Sequence, residues 1–419
     1  MLQWTRYRKV AMGFWTLAII AIAVWSQVPG YVAGWDLRVY ENAVDSLRAG
    51  HDPYLDGIAV QRVFHAQAVH APDAPTPFTY VYSPITLPLL RMIARLPKTI
   101  SASIYWSLYF LTLFCPVWVS WRLVQDHERP VFALLAPAAV FFPGLLSNDV
   151  LFSGNIAYIF YGLAFLTALR GWKYGEWIWF YAVVLASSCF KAPMLTLLAI
   201  PVFSARRQMV WAGITGALGL GLFLLQPAVW PTLFRHYLEA VELQFSFNHD
   251  FSSSPAGLLA NVLYNVVPYK LTSGVFYVLY ALAVVAVLSR LSRRFLAGSL
   301  LLQEWAPVLL VGVILLNPRI MEYDVAPLTL IMALVLWRVV GQGRELARTA
   351  VITGVVFAVM VTAGTRAWRP TECVWLVMVF VLGSHNLITA SDERAKRGDY
   401  DILPVVLMEQ KPAGDGLFD

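Results

Sequence analysis

Uninterrupted apolar runs constrain this chain more than any other feature. Stretches of roughly 18 or more apolar residues recur from end to end, each long enough to cross a bilayer core as a helix. In lipid the backbone groups of such a run must pair internally. The alternation of apolar and polar positions over about ten residues that marks a barrel strand is absent. The runs therefore predict an all-α polytopic membrane protein with about eleven to thirteen membrane helices. They form one domain over residues 1–390, followed by a polar tail over 391–419. Composition agrees: 59% of the 419 residues are hydrophobic, whereas a soluble domain rarely exceeds half apolar. The 16 Trp and 19 Tyr cluster near the ends of runs, where amphipathic rings sit at a membrane interface.

The net charge of +6 reads as the excess of cationic residues that cytoplasmic loops carry. The basic residues lie in short loops between runs and form no patch suited to nucleic acid. Cys115, Cys189 and Cys373 all fall in apolar segments. They read as small core hydrophobes, with no disulfide or metal implied. No convincing secretory cleavage site follows the first run, so that run reads as an uncleaved anchor.

Cationic loops set the threading. Arg6, Arg8 and Lys9 precede the first run and place the N-terminus inside. Arg290, Arg293 and Arg294 mark a later inner loop, as do Arg338, Arg344 and Arg348, and then Arg394, Lys396 and Arg397. Arg206 and Arg207 mark another, and so does 170–173. By parity, 29–100, 148–155, 227–270, 317–324 and 365–371 fall outside. Two segments resist simple threading. Residues 80–96 cannot cross alone without putting Arg91, Arg95 and Lys98 on the wrong side. That segment is either re-entrant or has a misread boundary. Residues 177–203 must cross an even number of times, and the sequence Cys189-Phe190-Lys191-Ala192-Pro193 predicts a hairpin broken there. Proline frees a backbone carbonyl and favours a kink. A lysine at membrane depth costs about 2.5–3.5 kcal/mol, so Lys191 should either snorkel or have a partner or a wet cavity.

Asp36 lies just past the first run. After it, Tyr40, Ala43, Val44 and Leu47 recur on one face, with Glu41, Asn42, Asp45, Ser46 and Arg48 on the other. This pattern predicts a short amphipathic helix at the outer face, ended by Gly50. Asp36 could cap that helix, act as a base, or do both. No Asp-x-Asp pair is present, because position 38 is Arg. The carboxylate pair that would bring a divalent metal to a diphosphate is thus missing, which favours a donor with a single phosphate and no metal cofactor. Further polar outer segments are Ser147 to Asp149, Ser153 to Asn155, residues 244–254 with His249 and Asp250, and Asn317 to Asp324.

Taken in order, several short motifs resemble the polytopic GT-C glycosyltransferases, and among them glycosyltransferase family 87, the bacterial α-mannosyltransferases and arabinofuranosyltransferases. The resembling pieces are Asp36-x-x-x-Tyr40, Gly50-His51-Asp52-Pro53-Tyr54, Phe78-x-Tyr80-x-x-Ser83-Pro84 and Leu96-Pro97. Gly154-Asn155, Lys191-x-Pro193 and Asn317-Pro318-Arg319-x-x-x-Tyr323 follow. The chain departs from the family in placing Gly154 directly before Asn155, and in Val81-Tyr82-Ser83-Pro84. The resemblance implies a GT-C-like bundle in a bacterial inner membrane. It also implies transfer of a sugar, mannose first, from a polyprenyl monophosphate to a hydroxyl of a lipid or glycan acceptor. Asp36 would be the general base, and Lys191, Arg319 and Arg38 would meet the donor phosphate. Tyr40, Tyr54, Tyr80, Asn155, His249, Glu322 and Tyr323 would contact substrate. The rival class is a transporter or flippase of lipid-linked glycans, which an intramembrane lysine also suits. A membrane scaffold is a third option, but it has no need of Lys191 at depth.

Overall fold

The computed structural model of the protein describes residues 34–68, 79–129, 153–248, 252–264, 266, 268–339 and 368–397. The expected first span and most of the expected tail lie outside the described residues. Among these residues all regular structure is helical and no strand occurs. In chain order come α1 (Trp35–Arg48), α2 (Pro53–Ala68), α3 (Leu87–Ile93), α4 (Lys98–Arg122), α5 (Ile156–Tyr174) and α6 (Ile178–Phe190). Then follow α7 (Met209–Leu224), α8 (Pro231–Asn248), α9 (Pro255–Leu263), α10 (Tyr269–Leu296), α11 (Leu302–Leu315), α12 (Thr329–Val339) and α13 (Trp368–Arg397).

Four described helical segments are long and apolar enough to cross a membrane: Lys98–Arg122, Arg206–Val229, Tyr269–Leu296 and Arg369–Lys396. Helix α4 shows how the sequence makes such a segment. Ile100, Ile104, Leu108, Leu111, Phe114 and Trp118 form an exposed stripe at helical spacing, as a face covered by lipid would. Tyr109, Thr112, Leu113, Pro116 and Val119 face inward against α5. Pro116 cannot donate to the carbonyl of Thr112, four residues back. Gly162 of α5 crosses there, where a Cβ would come within 2.8 Å of that oxygen. Only a residue without a side chain lets the two backbones meet so closely.

The middle of the bundle is α11 and α12, apolar on every side. Each residue from Trp305 to Leu315 and from Thr329 to Trp337 is buried. A helix that is apolar all round belongs at the centre of a core. The segment 80–96 is resolved as a short helical turn, Pro84–Thr86, leading into α3. Its apolar helix, Pro84–Ile93, is too short to span a core of about 30 Å at about 1.5 Å per residue. That helix cannot cross by itself, and both expected alternatives, a re-entrant segment and a misread boundary, stay open. Arg48 holds the end of this segment by donating to the carbonyls of Ala94 (2.9 Å) and Leu96 (2.6 Å).

The described cationic loops meet at one end of the bundle. There Arg294 pairs with Asp392 at 2.8 Å and Arg394 with Glu304 at 2.5 Å. Ser292 donates to the carbonyl of Phe203, and the Trp172 indole donates to Ser204. Helix α13 thus runs to Arg397, into the stretch expected as tail. Arg338, expected only as a loop marker, is largely buried. Its guanidinium forks onto Glu128, with Nε to Oε1 and Nη2 to Oε2 both at 2.7 Å. Nη1 donates to the carbonyl of Gln303 at 2.7 Å. Removing one partner leaves a buried charge uncompensated. Arg338→Ala is therefore expected to lose about 3–5 kcal/mol of stability. Replacing both residues by Leu should lose much less. Thermal melting in detergent checks this, and a single variant that melts with the parent would refute it.

At the opposite end, α1, α2, α3 and part of α8 build a second apolar cluster on top of the bundle, with Tyr40, Tyr54, Tyr80, Tyr82 and Ala240 inside it. A cavity of about 440 Å³ lies at the seam between this cap and the bundle.

Candidate active site

The site begins with the turn that seats α1. Gly34 and Gly154 both have left-handed backbone, at φ +71° and +67°. A Cβ on Gly154 would lie 3.2 Å from that of Leu37. Two strained turns can therefore press together, and the Ser153 carbonyl accepts from the amides of Asp36 (2.9 Å) and Leu37 (3.1 Å). Gly34 is the capping position of α1, so Asp36 is not the cap. It sits inside the first turn, where the helix dipole favours a carboxylate. Asp36 is buried and lines the cavity. The expected amphipathic helix is present, with Tyr40, Ala43 and Val44 buried. It ends in a Schellman turn at Gly50, where the His51 amide donates to the Ser46 carbonyl (2.8 Å) and the Gly50 amide to Leu47 (3.2 Å).

Asn155 caps α5, its Oδ1 accepting from the Ala157 amide at 2.9 Å. The same oxygen accepts from the Lys191 ammonium at 3.5 Å, while Nδ2 donates to Asp36 Oδ2. Lys191 stands at the expected break. Helix α6 stops at Phe190, Lys191 is extended, and a tighter helix runs over Ala192–Leu198. Pro193 cannot donate to the Cys189 carbonyl, which instead accepts from Ser83 Oγ at 2.8 Å. The ammonium lies 3.8 Å from the centre of the Tyr323 ring, a cation–π contact.

The wall facing α1 is the connection between α11 and α12. Asn317 Oδ1 accepts from the Arg319 amide at 2.9 Å and fixes the turn that brings Arg319 to the cavity. Asp324 caps the short helix Glu322–Val325 by accepting from the Met321 amide at 2.8 Å. Burial pushes the Asp324 carboxyl above its ordinary value, while the charges of Lys191 and Arg319 pull it back. The cavity, about 440 Å³, is lined by three carboxylates, Asp36, Glu322 and Asp324, and three cations, Lys191, Arg319 and Arg369. Asn155 and Tyr323 also line it.

Four of the expected site residues, Arg38, Tyr40, Tyr54 and Tyr80, are not among those that line the cavity. Arg38 is exposed and does not reach the cavity. Two residues on from Asp36 lies the opposite face of a helix. Tyr40, Tyr54 and Tyr80 are buried behind the cavity wall rather than lining it. The Tyr40 and Tyr82 hydroxyls meet at 2.6 Å, Tyr54 donates to the Tyr82 carbonyl at 2.7 Å, and Tyr80 bonds Thr86 at 2.6 Å. They hold Tyr82, which does face the cavity and which no motif flagged. Burial, with the Asp36 charge second, holds the Tyr82 hydroxyl well above its ordinary value, so it stays a donor. His249 lies outside the described residues.

Sequence reasoning also missed Asp324, Arg369, Tyr237 and Gln244 as lining residues. Arg369 carried a signal: it is a cation in a loop assigned outside, against the charge rule. Tyr237 and Gln244 come from α8, which two polar contacts tie to α2 and to the residue just before it. His236 Nδ1 meets Asp52 at 2.7 Å, and Arg62 meets Glu239 at 2.5 Å. A second, open cleft of about 310 Å³ between α9 and α10 shares Arg319 with the main cavity. No group of three or more His, Cys, Asp or Glu among the described residues is placed to hold a metal ion. No protein-family model matches the chain, and neither a curated protein nor a solved structure is detectably similar to it.

Proposed function

We propose that the protein is an inverting glycosyltransferase. It moves a sugar, mannose first, from a polyprenyl monophosphate to an acceptor hydroxyl at the outer face of a bacterial inner membrane. One observation carries this reading: a buried carboxylate and a deep ammonium, far apart in sequence, grip the two sides of one amide in one cavity. The ordered motifs that resemble family 87 add to it.

The chemistry needs a base, a cation and a place for a lipid tail. Asp36 takes the proton of the acceptor hydroxyl as its oxygen attacks the anomeric carbon. The bond from that carbon to the phosphate oxygen breaks, and both electrons leave with the phosphate. Lys191 and Arg319, held in place before the reaction, stabilise the added negative charge. With one base and no covalent intermediate, a β-linked donor gives an α-linked product. The cleft between α9 and α10 meets the cavity at Arg319 and offers the isoprenoid chain a seat. The charge rule makes the paired arginine end cytoplasmic, which turns the cavity outward. The rival reading, a flippase for lipid-linked glycans, needs a route through the bundle, and the packed helices α11 and α12 fill its middle.

Purified protein in proteoliposomes, given radiolabelled polyprenyl-phosphate mannose and an envelope lipid extract, is the test. The expected result is labelled product with release of polyprenyl phosphate. Movement of the donor across the bilayer with no covalent transfer would favour the rival and overturn this reading.

A further inference from the structure

We infer that Asn155 is a positioning residue that joins Asp36 and Lys191 into one unit and keeps the Asp36 carboxylate ionised, rather than a ligand of the substrate. The inference rests on Asp36 being the base.

An amide has a donor side and an acceptor side, and here the fold settles which is which. Oδ1 must accept, because it caps α5 through the Ala157 amide and also receives the Lys191 ammonium. Nδ2 therefore faces Asp36 as a donor. Little of the side chain is left for a ligand, since Asn155 is only 2% exposed. Its backbone is held as well, the amide donating to Ser153 Oγ at 3.1 Å. The same short segment carries the Ser153 carbonyl that seats the first turn of α1. One rigid turn thus sets both the position of the carboxylate and its hydrogen bond. A hydrogen bond donated to the charged form favours that form.

The other groups near Asp36 divide into two sets. Tyr40 on its own helix, Tyr82 and Tyr323 stay neutral, each with its hydroxyl raised first by burial, and Tyr105 of α4 stands against Tyr40. Lys191, Arg319, Arg369, Glu322 and Asp324 share the cavity and can carry charge. Asn155 links the base to Lys191 by a hydrogen bond at each end of its amide.

The test uses the full chain in proteoliposomes and two variants that can still cap α5. Asn155→Ser keeps a capping oxygen but is too short to reach Asp36. Asn155→Asp keeps shape and cap but replaces the donor with a second carboxylate. Losing a hydrogen bond to a charged group should raise the Asp36 pKa, so the acid limb of kcat/KM should move to higher pH. The expected shift is about one to two pH units in the Ser variant, and more in the Asp variant, where like charges repel. The donor KM should change little while kcat falls. An unmoved acid limb with a raised donor KM would overturn the inference and make Asn155 a substrate ligand. Infrared acid titration, reading the carboxyl band that disappears in Asp36→Asn, gives the same shift without any turnover. It keeps the inference testable if the transfer reaction itself is not found. An unshifted band in both variants would refute it.

Discussion

Asp36→Asn is expected to lose sugar transfer by about 10²- to 10⁴-fold, the range a general base supplies. The amide has nearly the shape of the carboxylate, so the first turn of α1 should still dock on the Ser153 carbonyl. What disappears is the ability to accept a proton from the attacking hydroxyl. Donor binding should survive, because the cations assigned to the phosphate are not touched. The check is single-turnover transfer alongside equilibrium binding of the polyprenyl-phosphate sugar. Turnover at the parental rate would remove Asp36 as the base. Loss of donor binding in step with rate would make it a binding residue.

Lys191→Ala is expected to lower kcat by about 10²- to 10³-fold, the scale of removing one preorganised group that meets developing charge. Its ammonium is fixed from two sides, 3.5 Å from Asn155 Oδ1 and 3.8 Å from the Tyr323 ring centre. A charge already oriented there needs no reorganisation when the phosphate leaves. The backbone break itself should persist, since Pro193 and the Ser83 bond to Cys189 do not depend on the side chain. Rates with donors bearing better leaving groups should separate the roles. The loss should shrink as the leaving group becomes less basic. An equal loss with every donor would assign Lys191 to structure instead.

Much of the site was legible because it is written locally. Lys191 followed by Pro193 announces a break wherever the chain goes, since a missing amide hydrogen acts on its own backbone. Gly50 announces a left-handed turn for the same reason. Asp36 stood out as an acid at the edge of apolar sequence. What the sequence did not show has a different cause. Tyr40, Tyr54 and Tyr80 belong to the motifs but face backwards, and the choice of Tyr82 instead depends on how α1, α2 and the bundle meet. Arg338 reads as a loop cation until Glu128 is found opposite it, far away in the chain. Arg369 and Asp324 enter the cavity only through the way α13 and the α11–α12 connection pack.

Alone, the sequence determined that the described chain is helical and apolar, where one helix must break, and which acid and which lysine stand out. These follow from hydrophobic length and from backbone chemistry, which act within a few residues. Tertiary structure alone decided that Asp36 and Lys191 share Asn155, which tyrosine faces the cavity, and which arginines are paired. Those depend on hydrogen bonds and packing between segments remote in the chain, and such contacts leave no periodic trace along it.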